Sequence, residues 1–451
     1  MKKSCLVFDV LTHALNLTVF DQDFNVLYHL TTPKKPQVEE TGYMAEDLKG
    51  IEKWLLDSFD RLKKSKDFNI VALNFTSYVG GLVHLDEKHT PVFPVLDVNN
   101  SFDYKTRSKM QEFFEHNTGL LKEVQLAEFS FETSALQLFY IKAKYPKAFK
   151  KIAYSISLAQ YFQSLFSHEY FHDYTTIGCH SASWDFKQKT LHSWLKNENL
   201  NSLNLPIKAS NVCQNKDLII GPGIYYKVAE TIPFLSISDE PFILLSTGAW
   251  TVAINPFNHS KSNKIDLSSN CFNILNHKGE RIKMARLFSG NEHSRLLAHL
   301  AEHYLCDTSY CLTIKFDRNI VKKLRQTINQ VRPNETALSA MSNSPFMDRN
   351  LNNFTSIEEA YHQFIMDLIA QQVASIKLTI EQRPVIRNIY VEGGLAKNVI
   401  FMQLLSEAFH DKTVYKVEFE DTAAMGAAMI IGEAWGANKP KESLLRIEPI
   451  H

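Results

Sequence analysis

Residues 241–257 read PFILLSTGAWTVAINPF. An apolar run, Phe242-Ile243-Leu244-Leu245, enters a turn of small residues, Ser246-Thr247-Gly248-Ala249, and a second apolar run, Val252-Ala253-Ile254, leaves it. Short apolar runs bounded by turn residues read as buried strands. The chain opens on the same device. CLVFDVLTHALNLTVF (residues 5–20) runs up to Asp9, turns, and runs out again. The two stretches share a pattern and not an identity. Their recurrence predicts two domains of similar topology meeting near residue 240.

The rest of the chain fills in around these two hairpins. Residues 46–64 read as an amphipathic helix, with Ile51, Trp54, Leu55, Phe59 and Leu62 on one face. NIVALNFTS (69–77) reads as a buried strand and GGLVHLDEKHTPVF (80–93) as another that closes in a polar turn. Residues 105–170 read as mostly helical and aromatic-rich. The stretch 173–195, DYTTIGCHSASWDFKQKTLHSWL, reads as an irregular segment leading to a short strand and turn. Residues 357–380 predict a long helix with Ile357, Tyr361, Phe364, Ile365, Leu368 and Ile369 on one stripe. NIYVEGG (388–394) predicts a strand, KNVIFMQLLSEAF (397–409) a helix, and DTAAMGAAMIIGEAWG (421–436) a helix of small residues fit for close backbone packing. PNETALSAMSNSPFMDRNLNN (333–353) reads as an exposed excursion. Strands alternating with helices argue for an α/β class.

Composition narrows the function. With 451 residues, roughly two to four domains are expected. Lysine plus arginine equals aspartate plus glutamate at 49 each, which gives no support to a nucleic-acid or membrane-surface partner. No apolar run approaches a transmembrane length. The start, MKKSCLVFDVLTHAL, mimics a signal peptide, but Asp9, His13 and Asn16 interrupt its apolar segment, so it reads as a first strand. Cys5, Cys179, Cys213, Cys271, Cys306 and Cys311 form no CxxC pair, the pattern of thiols in a reducing cytoplasm.

Four places could carry chemistry. The turn Ser246-Thr247-Gly248-Ala249 could present hydroxyls and backbone N–H groups to a phosphate, or be an ordinary hairpin turn. Gly393-Gly394 sit at a strand-to-helix junction that permits close approach of a nucleotide, or simply a tight turn. Asp9, at a strand end, could hold a hydrated Mg²⁺ near phosphates, or cap the strand in solvent. His168-Glu169-Tyr170-Phe171-His172 matches the zinc-protease pattern HExxH. That chemistry needs one continuous helix, and the residues that follow favour extended backbone, so the match reads as chance.

Taken in order, the Asp9 hairpin, DYTTIGCHSASWDF, GPGI, LLSTGAW, VEGGLAKN and DTAAMGAA resemble the FGGY carbohydrate kinases, and most of all their rhamnulokinase and fuculokinase branch. The resemblance covers nearly the whole chain. It implies two actin/hexokinase-like (ribonuclease H-like) domains around a central cleft: residues 1–238 on the sugar side and 239–451 on the nucleotide side. It implies ATP and Mg²⁺ as cofactors, a sugar as acceptor, a cytoplasmic setting and room for a homodimer. Residue by residue, it places Asp9 (also the Mg²⁺ position), Thr12, Ser246, Thr247, Gly248, Gly393, Gly394 and Asn398 at the nucleotide. It places Asp97, Gly80, Gly81 and Tyr225 at the sugar. Three departures stand out. Leu11 replaces the glycine of the first phosphate loop, with His13 following Thr12. Ala249 lacks a hydroxyl in the second loop. In GPGIYYKVAE (221–230), Tyr225-Tyr226 occupy the place of a His-Asp pair whose aspartate is the family's general base. The resemblance with these departures implies a kinase homologue with impaired or lost catalysis and a binding or regulatory role. The alternative is an active kinase with a relocated base: Asp97, Asp173 or a water network.

Overall fold

The computed structural model describes residues 2–39, 42–211, 214–215, 217–260, 267–326, 344–381, 384–419 and 421–451. They form two compact units: Met1–Ser238 with Asn273–Arg281 and Asp421–Leu444, and Asp239–Phe272 with Ile282–Glu420 and Leu445–His451.

In the first unit, strand Lys3–Val10 pairs antiparallel with Ala14–Asp21, which pairs antiparallel with Val26–Pro33. Its other edge pairs in parallel with Asn69–Ser77, which in turn takes Ile219–Ile220 and Ile224–Tyr225 in parallel. Every residue of Lys3–Val10 after the first is buried. A strand buried on both faces reads as a continuous apolar run and not as an alternation. Helix Leu48–Lys64 covers the sheet with Ile51, Leu55, Phe59 and Leu62. Asp47 caps it, accepting from the Gly50 amide at 3.0 Å, and Arg61, Lys63 and Lys64 lie at its carbonyl end, where cations are favoured. Trp54 is only partly buried, and its Nε1 donates to Thr32 Oγ1 at 3.2 Å.

In the second unit, Phe242–Thr247 pairs antiparallel with Thr251–Asn255, which pairs antiparallel with Arg281–Leu287. On its other side it pairs in parallel with Asn388–Gly393; Thr413–Glu418 follows in parallel and Arg446–Pro449 antiparallel. A three-stranded meander extended by parallel strands thus occurs in both sheets. The α/β fold with two actin-like domains is the one observed.

The long helix spans Ile357–Leu378. Tyr361, Phe364, Ile365, Leu368 and Ile369 of its expected stripe are buried and Ile357 partly so, but the opposite side is buried too, including Gln363, Asp367, Gln371 and Gln372. Asp367 ties the preceding segment to this helix. Its carboxylate accepts from Arg349 Nε at 2.6 Å and Nη2 at 2.8 Å, and Phe346 and Leu351 pack into the same core. Residues 344–353 are therefore anchored and not an exposed excursion, because two apolar side chains and a paired arginine sit inside a polar run. Residues 333–343 lie outside the described residues.

The small-residue helix runs over Thr422–Ile430 in the first unit. A Cβ on Gly426 would lie 1.9 Å from the carbonyl oxygen of Ala229, and Asn74 Nδ2 donates to the Ala427 carbonyl at 2.8 Å. No helix among the described residues is long and apolar enough to cross a membrane. The described cysteines remain thiols, and Cys213 lies outside the described residues.

Candidate functional site

Thr247 organises the second unit's site. Its hydroxyl donates to the Glu392 carbonyl at 2.5 Å and accepts from the Leu395 amide at 3.0 Å, while its own carbonyl accepts from the Gly394 amide at 2.9 Å. The hairpin turn and the strand–GG–helix turn are thereby tied into one wall. Gly393 has φ +86°, and a Cβ there would sit 2.2 Å from the Thr247 carbonyl oxygen, so only glycine fits. Gly290, in the first turn of helix Ser289–His303, leaves even less room: a Cβ there would lie 1.9 Å from the Gly248 carbonyl oxygen.

These approaches gather Thr247, Gly248, Gly394 and Asn398 around a cavity of about 800 Å³. Asn398 caps helix Val399–Ala408, accepting from the Phe401 amide at 3.0 Å, and its amide donates to the Tyr361 hydroxyl at 2.7 Å. That hydroxyl meets His293 Nε2 at 3.1 Å, and burial lowers the His293 pKa to about 4, so the ring is neutral at pH 7. Ser246 and Gly393 adjoin the cavity in sequence without lining it. Sequence reasoning missed Gly290, Asn291, His293 and Lys397, which also line it. The helix that carries the first three starts without a side-chain cap, so no local signal marked it. Hydroxyls, amides and a lysine around an apolar floor of Leu297, Leu312 and Leu395 suit a ligand with an anionic end and a flat apolar end.

The first unit's site centres on Asp9. Its Oδ1 accepts from the Thr76 hydroxyl at 2.5 Å and its Oδ2 from Asn16 Nδ2 at 3.3 Å. Burial, and then the Asp421 carboxylate, push its pKa up to about 7. Asp421 caps Thr422–Ile430, accepting from the Ala424 amide at 3.0 Å and the Thr18 hydroxyl at 2.9 Å, and burial pushes it up to about 6. Glu230 raises both and is held by the buried Lys227 at 2.9 and 3.0 Å. Sequence reasoning found Asp9 and missed Asp421, Glu230 and Lys227; only folding brings them together. Among the described residues no three His, Cys, Asp or Glu side chains could hold a metal by themselves. A carboxylate pair short of positive charge nevertheless suits Mg²⁺, which is usually held by one or two carboxylates plus substrate phosphates.

The turn after Asp9 closes with the Leu11 amide donating to the Ala14 carbonyl at 2.9 Å. Leu11, Thr12 and His13 all keep negative φ, so the turn forms without the left-handed residue a glycine would supply. Leu11 and Thr12 are partly buried and His13 is exposed.

In GPGIYYKVAE the glycines serve close packing. Gly223 has φ +78°, and a Cβ on it would lie 2.8 Å from the Ala159 carbonyl oxygen. The Tyr225 amide donates to Thr175 Oγ1 at 2.9 Å. Tyr226 is the first residue of the short helix Tyr226–Ala229, with Lys227 Nζ 4.6 Å from its ring centroid. Burial pushes its hydroxyl up to about 12, with Glu230, Glu132 and Asp9 adding to the rise and Lys227 opposing it. It therefore stays protonated at neutral pH and can donate a hydrogen bond but cannot accept a proton. Gly80 has φ +85° and lies against the Glu132 backbone, and Gly81 lies against Leu158. Asp97 Oδ1 accepts from the Asn99 amide and side chain at 2.7 and 2.8 Å, near the buried Lys34–Glu46 pair. Asp173 has no exposed surface; it accepts from the Thr175 amide at 2.8 Å and from the Ser210 hydroxyl.

The HExxH stretch does not form a metal site. Helix Leu158–Ser167 ends before it, His168 has φ +59°, and His172 lies on the strand His172–Asp173 with its Nε2 3.0 Å from the Leu203 carbonyl.

Residues 239–440 match the family model of the carbohydrate kinase FGGY C-terminal domain. No curated protein matches the chain by sequence. Among solved structures, a carbohydrate kinase from Novosphingobium aromaticivorans superposes with a TM-score of 0.78 at 17% identity, covering 99% of this chain and 96% of that one. The ligand-bound xylulose kinase from Lactobacillus acidophilus gives 0.76 at 13% identity, over 99% and 93%. The glycerol kinase from Plasmodium falciparum with ADP gives 0.76 at 14%, over 96% and 89%. At such identities the likeness is one of fold.

Proposed function

We propose that the chain is, over its whole length, an FGGY-type carbohydrate kinase homologue, nearest the rhamnulokinase and fuculokinase branch, that binds nucleotide and sugar but turns them over poorly. The family match over 239–440 supports the assignment, together with the meander-plus-parallel sheet repeated in the first unit. The observation that carries the catalytic part is Tyr226. At the general-base position stands a hydroxyl held protonated up to about 12. A general base works best with a pKa near the operating pH, and losing one costs roughly 10²–10⁴ in rate.

The second unit's cavity would take ATP, with the Thr247–Gly248 turn and the Gly394–Asn398 segment around it. Mg²⁺, when bound, would supply charge neutralisation at the phosphates, and Asp9 is the residue that would hold it. The chain's own groups then bind and orient the sugar: Gly80 allows close approach, and Asp97 fixes its loop. Leu11 at the first phosphate loop adds a side chain where relatives present a bare backbone. Partners are thus a sugar and a nucleotide, with self-association into a homodimer proposed on the same resemblance.

The active-kinase reading has one observation in its favour. Asp9, at about 7, has the pKa of a general base, although Asp173 and Asp97 are both engaged in structural bonds. Titration calorimetry with ATP–Mg²⁺ and a ketose panel, alongside a coupled assay of ADP release, separates the two. Nucleotide binding with turnover far below about 1 s⁻¹ is expected. Turnover within the kinase range of about 1–100 s⁻¹ overturns the impaired reading.

A further inference from the structure

In the second unit's cavity the fold itself decides where one histidine carries its proton. The bonds that decide it start at a backbone amide, which can only donate. The Phe401 amide donates to Asn398 Oδ1 at 3.0 Å. This fixes which way the Asn398 amide faces, and its Nδ2, a donor only, meets the Tyr361 hydroxyl oxygen at 2.7 Å. Tyr361 is buried, and that burial raises its pKa, so the hydroxyl keeps its hydrogen. A buried hydroxyl needs an acceptor, and among the described residues it finds His293 Nε2 at 3.1 Å. Burial lowers the His293 pKa to about 4, so the ring is neutral and carries one hydrogen. With Nε2 accepting, that hydrogen stands on Nδ1.

Nδ1 makes no hydrogen bond among the described residues. It is not sealed off either: the buried side-chain nitrogens without a partner there include His84 Nε2 and His277 Nδ1 but not His293 Nδ1. The ring packs on Phe364 at 5.5 Å between centroids and 30°, and its Nε2 edge meets Tyr361, which leaves the Nδ1 edge to the cavity that His293 lines. Its place along helix Ser289–His303 decides what it meets. The Gly290 amide donates to the Ala249 carbonyl of the turn at 3.2 Å, and Leu297 belongs to the apolar floor. At the helical rise His293 stands about 4.5 Å beyond the first and about 6 Å before the second. It therefore lies between the anionic and the flat apolar ends of a ligand.

A ribose hydroxyl can meet either tautomer and needs neither one fixed. A ring nitrogen of a base only accepts, so it pairs with a histidine whose Nδ1 always donates. We propose that His293 is a specificity-determining residue of this cavity: its Nδ1–H donates to a ring nitrogen of the bound purine, and Asn398 and Tyr361 are the positioning residues that hold the proton on Nδ1. The inference rests on the nucleotide reading of the cavity and adds to it the atom by which the base is recognised. The proton is set by a helix cap, so recognition is prepared before any ligand arrives.

The test is titration calorimetry on the full chain with ATP and its 1-deaza, 3-deaza and 7-deaza analogues, each with one ring nitrogen replaced by C–H. One of the three should bind about fivefold or more weakly than ATP, the cost of leaving a buried donor unpaired. In His293→Leu that difference should vanish. Equal binding of ATP and all three analogues, or a difference that survives in His293→Leu, overturns the proposal. Failure of ATP itself to bind removes the nucleotide reading and this inference with it. Nitrogen-15 NMR of the imidazole rings should show Nδ1 protonated and Nε2 bare in the signals that His293→Leu removes, and the reverse tautomer overturns the proposal. Tyr361→Phe should return that ring to a mixture of tautomers, and a ring that stays fixed there removes Tyr361 from its positioning role. The deaza series is read on the unaltered chain, so it decides even where a variant fails to fold.

Discussion

At the scale of single residues, Tyr226 and Asp9 carry the proposed chemistry. Tyr226 is protonated at neutral pH because burial outweighs the ammonium of Lys227 beside it. On the proposed reading, an aspartate in its place together with glycine at position 11 would supply a base and a bare phosphate loop. The double variant Leu11→Gly/Tyr226→Asp should therefore raise ADP release by a factor on the order of 10² or more, measured in the coupled assay. No gain would mean that the surrounding groups cannot hold substrate. Asp9 and Asp421 make the second prediction. Both carboxyls have pKa values raised in the folded chain, to about 7 and about 6. The native state therefore binds more protons than the unfolded one across that window. Their stabilising contribution is complete below about pH 4 and is lost as pH rises through 6 to 7. Asp9→Asn should accordingly be more stable than the parent at pH 8, by on the order of 2 kcal/mol, with the gap closing toward pH 4. Urea melts at several pH values read this directly, and a gap that widens toward low pH contradicts it.

At the scale of elements, glycines mark where backbones touch. Gly426 brings the helix Thr422–Ile430 against Ala229, and a methyl group there would meet a carbonyl oxygen at 1.9 Å. Neither partner is a flexible side-chain end, so Gly426→Ala should cost about 1–3 kcal/mol, read as a lowered Tm. Thr247→Val, nearly the same in shape, leaves the Leu395 amide and the Glu392 carbonyl without their partner. It should cost about 1–3 kcal/mol and weaken ATP binding in calorimetry. These elements also show how far the sequence could be read. The strand–turn–strand devices were visible because their strands are buried on both faces, and a continuous apolar run between turns has few other readings. The GG junction was visible as a close approach, but the thing approached, the Thr247 carbonyl, was not. The carboxylate that raises Asp9, Asp421, is not legible locally: its own bond to Thr18 spans 403 positions, and nothing local marks a carboxylate that caps a distant helix. Residues 344–353 were misread because composition outweighed two apolar side chains whose burial depends on the helix they meet.

At the scale of the whole chain, one sheet topology is used twice with different loops at its strand ends. The second unit keeps a turn, a GG junction and a helix start converging on a cavity of about 800 Å³. The first unit keeps the same strands but fills the corresponding turn with Leu11 and surrounds Asp9 with further carboxylates. On the proposed function, a duplicated frame whose two halves diverge in this way would separate binding from turnover, with nucleotide recognition resting on the second unit's loops and proton transfer on the first unit's groups. Loss of the second need not remove the first. Saturating ATP should then stabilise the chain, by about 2.7 kcal/mol at a hundredfold excess over Kd, even where no ADP is formed. Hydrogen exchange followed by mass spectrometry should place the added protection in peptides spanning 242–257, 286–300 and 388–405. Protection confined to residues 3–21 would instead put the nucleotide on the Asp9 hairpin and remove the second unit's cavity from the account. The nucleotide-induced shift should also survive in Tyr226→Phe, because that side chain belongs to the other unit and takes no part in holding the ligand.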